Sequence, residues 1–103
     1  MIKRRVLGMK IETFKLNTKP DFLWFKNFDR IPEEEIVEVV LEKLRENKAV
    51  KVGDSMEQRP YSYVNYCSYE GTPFSVICDD SYGVMIYTKD RTVMDKIQLY
   101  LEQ

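Results

Sequence analysis

The chain has no histidine, which bears first on any chemistry its side chains could do. Histidine is the commonest general base near neutral pH and the commonest metal ligand. Without it, Ser-His and Cys-His nucleophile pairs are excluded, and so are histidine zinc sites. Two cysteines, Cys67 and Cys78, stand eleven positions apart. No further cysteine completes a zinc or iron–sulfur set, and the spacing is not that of a C-x-x-C redox pair. Both alternate with apolar residues, which predicts buried structural thiols. Asp79-Asp80 invites a metal or acid–base reading, but neighbours on an extended chain point apart. Turn formation by aspartate accounts for the pair. Glu33, Glu34 and Glu35 spread around a helix start, where acids suit the positive end of the helix dipole. The four glycines form no dinucleotide or P-loop motif. No catalytic residue, no metal ligand and no cofactor is expected.

The aromatic residues are more informative. Phe22, Trp24, Phe25 and Phe28 crowd one segment, and Tyr61, Tyr63, Tyr66 and Tyr69 crowd another, with Tyr82 and Tyr87 following. Tyr and Trp supply large contact area at low entropy cost and are enriched at binding surfaces. Core packing is the competing account, since a small domain needs its aromatics inside. For the Trp24 segment both accounts stand at this level.

Elements must position these groups. Met9 to Thr13 alternates at period two, and Phe14 and Leu16 carry the apolar phase on the other parity, which predicts a strand with a bulge. Asn17 to Asp21 reads as a turn cluster. Pro32 opens a helix extending to Asn47, with Ile36, Val37, Val40, Leu41 and Leu44 as its apolar stripe. Ala49 to Val52 reads as a short strand and Ser55 to Pro60 as a polar loop. Tyr61–Tyr69, Pro73–Cys78 and Val84–Thr88 read as a three-stranded meander. Asp90 is suited to cap a last helix, whose stripe is Val93, Met94, Ile97, Tyr100 and Leu101. Two amphipathic helices require one sheet face to cover. The expected fold is therefore α+β, a two-layer sandwich. Its mostly antiparallel sheet comprises the N-terminal strand, the short strand and the meander, with both helices on one face. Length allows one domain over residues 1–103.

With Glu70-Gly71 as a two-residue hairpin turn, pairing follows by arithmetic. Tyr69 faces Thr72, Cys67 faces Phe74, Asn65 faces Val76 and Tyr63 faces Cys78. Tyr61, Tyr63, Cys67, Phe74, Val76 and Cys78 then share the better core face. The opposite face holds Ser62, Val64, Tyr66, Ser68, Ser75 and Ile77, leaving Val64, Tyr66 and Ile77 near solvent. Exposed apolar groups ringed by polar ones mark interaction sites. The expected binding residues are Val64, Tyr66 and Ile77, with Trp24 as a further candidate. Glu70, Asp79 and Asp80 are expected to form an acidic rim that steers a basic partner, such as a nuclease.

Net charge is −1, so no strong global field argues for nucleic acid or membrane. Locally, Lys3, Arg4, Arg5, Lys10, Lys15 and Lys19 face Glu12 alone at the N-terminus, while the rest of the chain is mildly acidic. A basic arm beside sheet aromatics gives a nucleic-acid reading some material. The aromatic meander, however, carries acids at its turns, and no K/R-G-F-type signature occurs. No apolar stretch approaches the length of a membrane span or a signal peptide, so the expected compartment is the cytoplasm. In size, α+β build and tyrosine content, the chain resembles small bacterial and phage accessory proteins, among them immunity proteins and small inhibitors. These observations point to a non-enzymatic protein-binding module that blocks a partner enzyme. A small ligand-binding or nucleic-acid-binding regulator is the alternative.

Overall fold

The computed structural model describes residues 10–27 and 30–103. Met9, Phe28 and the basic cluster Lys3-Arg4-Arg5 lie outside the described residues. Strands β1 (Thr13–Leu16) and β2 (Lys19–Phe25) precede helix α1 (Glu33–Arg45). Strands β3 (Val50–Arg59), β4 (Ser62–Tyr69), β5 (Thr72–Asp79) and β6 (Gly83–Tyr87) follow, and helix α2 (Arg91–Leu101) ends the chain. Among the described residues the six strands form one sheet in the order β1-β2-β6-β5-β4-β3, every pair antiparallel. Because β2 and β3 stand near opposite edges, the chain between them must cross the sheet. Helix α1 makes that crossing and packs on β3, β5 and β6, while α2 packs on β2 and meets α1. The expected two-layer α+β architecture is the one found.

The apolar stripes bring the helices down on one face. Val40, Leu44, Ile97 and Leu101 are fully buried, and they meet Leu23, Phe74, Val76 and Ile86 from the sheet. Pro32 occupies the cap position of α1, just before the first helical residue, and its carbonyl accepts from Glu35 N and Ile36 N. At α2 the Asp90 side chain accepts from Val93 N at 3.0 Å, the predicted cap. Beyond α2, Lys43 Nζ donates to the carbonyls of Leu101 and Gln103, at 3.0 and 2.9 Å. Glu102 accepts from the backbone N and hydroxyl of Thr13, at 2.8 and 2.7 Å. Those two donors hold the Glu102 carboxyl below its usual range and fasten edge strand β1 to the end of α2.

The β4–β5 hairpin has the predicted register along its whole length. Its turn residues Glu70 and Gly71 both take positive φ, 48° and 87°, which a turn of this length needs to match strand twist. The β1 bulge is present too, between Phe14 and Leu16. Four expectations fail. The N-terminal strand begins only at Thr13, so Lys10 to Glu12 lie outside it. The turn after β1 is Asn17-Thr18 alone, so Lys19 to Asp21 already belongs to β2, as does the aromatic segment through Phe25. The polar stretch Ser55 to Arg59 is strand, because β4 offers its free edge and backbone pairing outweighs the weak strand propensity of Ser-Met-Glu-Gln-Arg. Tyr61 lies in the Pro60-Tyr61 turn and is exposed, so it takes no part in the core face.

Cys67 and Cys78 are free and buried, as predicted. Burial pushes the Cys67 thiol up to about 11 and raises that of Cys78 as well. In the unfolded chain such thiols ionise near pH 8.5. Each therefore contributes stability that is complete below about pH 8.5 and declines as the pH rises towards the folded value. Native protein should react with a thiol reagent at pH 7.5 far more slowly than unfolded protein does, and its urea midpoint should fall between pH 8 and pH 10. Rapid labelling of two thiols in the folded state would show that they are accessible.

Candidate functional site

Side chains alternate across a strand, so the face opposite the helices can be read from the register. Phe14 pairs with Trp24, Trp24 with Met85, Met85 with Ile77, Ile77 with Val64 and Val64 with Glu57. One row therefore crosses all six strands, apolar on five of them and ending in a carboxylate at β3. A second row runs beside it, Phe22–Tyr87–Ser75–Tyr66. The two rows touch at their aromatic end. Phe14 and Trp24 stack with ring centroids 6.0 Å apart, Phe22 lies 5.6 Å from Trp24, and Tyr87 lies 5.0 Å from Phe22.

No helix among the described residues covers these rows, yet they are not uniformly exposed. Val64 is only 3% exposed and Met85 6%, and Trp24 is buried as well. Val64 was expected near solvent. It is buried instead, and it lines a depression of about 300 Å³ bounded by Phe22, Arg59 and Tyr82. Towards the other row, a second hollow of about 400 Å³ lies against Tyr66, Ser75 and Tyr87. Trp24 is buried, but in this separate cluster and outside the main core.

Tyr66 stands at the polar end, 47% exposed. Its hydroxyl donates to Glu57 Oε1 and accepts from Arg59 Nη2 at 3.1 Å, while Arg59 also reaches Glu57 at 3.2 Å. The Tyr66 hydroxyl, and after it Arg59, hold the Glu57 carboxyl below its ordinary range. The expected acidic rim is brought together only in part. Asp79 borders the depression, but its Oδ1 accepts from Ser81 N and Tyr82 N at 2.8 and 3.0 Å, shaping the β5–β6 turn. Asp80 is exposed in the same turn. Glu70 lies at the opposite end of the hairpin, beside Lys96 of α2 at 4.0 Å. Rim charges of both signs, Lys19 and Arg59 with Asp79, replace a uniformly acidic border.

No family model, curated protein or solved structure matches this chain. Geometry alone therefore carries the functional reading. Among the described residues no three acidic or sulfur side chains gather as a metal site would require, and no helix is long and apolar enough to cross a membrane.

Sequence reasoning placed Val64, Tyr66, Ile77 and Trp24 among the binding residues, and all four lie on this face. It missed Phe14, Phe22, Met85 and Tyr87, whose membership follows only from the β1–β2 and β2–β6 pairings. The alternation of Phe22 and Trp24 about Leu23 was the available signal for a strand with one aromatic face. The segment between Asn17 and Pro32 offered no hairpin arithmetic to exploit it.

Proposed function

We propose that this chain is a non-enzymatic protein-binding module that docks its partner on the sheet face opposite α1 and α2, as an immunity or inhibitor protein does when it blocks an enzyme. The observation that carries this reading is the apolar row Phe14–Trp24–Met85–Ile77–Val64, flanked by tyrosine hydroxyls and bordered by charges. Apolar contact residues inside a polar rim are the usual anatomy of a protein interface, and on this row Phe14 is exposed and Ile77 half-buried. Rim charges of both signs favour a partner of mixed charge over a uniformly basic one. The free thiols suit a reducing compartment such as the cytoplasm.

Affinity capture from the native host, with three baits compared, tests the reading. Wild-type protein and a Leu99→Asp control, changed on an exposed helix position, should retain the same partner. Ile77→Asp should reduce its recovery at least tenfold, because a desolvated charge would sit in the middle of the row. Circular dichroism of each bait establishes that it is folded. A partner retained equally by folded Ile77→Asp would move the interface off this face.

A further inference from the structure

We infer that the depression on the sheet face opposite α1 and α2 is a binding site for a small molecule with an apolar body and a single anionic group. This goes beyond the protein-docking reading, since it concerns the isolated chain. The inference starts from a depression on the sheet face that no helix among the described residues covers. Its volume of about 300 Å³ lies at the lower end of small-molecule sites. At about 30 Å³ for a water-sized group, it holds roughly ten non-hydrogen atoms. Trp24, Val64, Ile77 and Met85 line it. They present hydrocarbon, thioether and indole surface, which suits an apolar body and offers little to a sugar or a nucleotide.

The charged lining gives the anionic preference. It consists of Lys19, Arg59 and Asp79, two cations and one carboxylate. Arg59 is engaged by Glu57 and Tyr66. Asp79 directs one oxygen into its own turn, where two backbone N–H groups meet it. The side chain of Lys19 makes no ion pair or hydrogen bond among the described residues. The Asp79 carboxylate has donors from its own turn, whereas the Lys19 ammonium has no acceptor, and a carboxylate at the mouth of the hollow would meet it. A ligand seated there occupies part of the proposed docking face and would compete with a protein partner.

Trp24 is the only tryptophan of the chain, so its emission reports this site alone. Hydrocinnamate and its neutral analogue hydrocinnamyl alcohol are the probes, titrated into the purified full chain by calorimetry and by Trp24 emission. Hydrocinnamate should bind saturably at one site per chain and change the emission. The alcohol should bind about fivefold more weakly, the scale of one solvent-exposed ion pair. Lys19→Met should remove the difference between the probes while leaving the alcohol's affinity unchanged. Ile77→Asp, folded by circular dichroism, should lose both. No saturable signal from either probe would overturn the site. Equal affinity of acid and alcohol for the wild-type chain, or a difference that survives Lys19→Met, would overturn the anionic assignment. A partner captured on the same face while neither probe binds would leave the protein-docking reading standing and remove this one.

Discussion

Phe74→Ala should cost about 3–5 kcal/mol of folding stability, the usual loss when a buried aromatic ring is cut to a methyl. Phe74 is 2% exposed, opposite Cys67 in the β4–β5 pair, and belongs to the cluster formed by both helices and the sheet. Removing the ring forfeits its transfer from water and leaves a cavity that surrounding β-sheet and helix side chains can only partly fill. A domain of this size has roughly 5–15 kcal/mol in total, so the variant should unfold at a much lower urea concentration with little change in slope. Tyr66→Ala is the matched comparison on the other face. Its ring is half exposed and its hydroxyl contacts lie at the surface, so its loss should stay near or below about 1 kcal/mol. Similar midpoints for the two variants would mean that the helices do not cover the Phe74 face.

Gly53→Ala should destabilise by about 1–3 kcal/mol, far more than an exposed strand alanine normally does. A Cβ at Gly53 would lie 2.7 Å from the backbone carbonyl oxygen of Tyr66 on β4. That oxygen belongs to a paired strand and cannot rotate away as a side-chain tip would. The close approach sits inside the register shift between Val52 and Met56, where β3 carries extra residues opposite β4. Relief requires the strands to part there, and the half of β3 displaced would be Met56 to Arg59. Those residues place Glu57 and Arg59 on the Tyr66 hydroxyl. The variant should therefore lose stability by urea titration and also show faster amide hydrogen exchange from Met56 to Arg59 than at Val50. A variant as stable as wild type with unchanged exchange would show that β3 accommodates a side chain at this point.

Local rules made part of the molecule legible in advance. The β4–β5 register followed from one dipeptide, because a two-residue turn leaves no freedom in which residues face each other. That register in turn separated Cys67, Phe74, Val76 and Cys78 from Val64, Tyr66 and Ile77. Both helices were readable from stripes that repeat at the helical period, and the Asp90 cap from a short polar side chain before such a stripe. Three placements needed the tertiary structure. β3 extends to Arg59 because an adjacent strand edge satisfies backbone groups of a segment with little strand propensity of its own. Phe14, Trp24 and Phe22 join Met85 and Tyr87 because β2 pairs with β6, a contact between residues more than sixty positions apart that no turn specifies. Val64 is 3% exposed with neither α1 nor α2 above it, which strand alternation could not foretell, since it records only which way a side chain points. The amino-acid sequence by itself determined which residues could face the open side of the sheet, since period and turn geometry act over a few bonds. Only the tertiary structure decided that this side is hollowed and where its charges stand, since both depend on strand order, and strand order is set by the summed packing of the whole core.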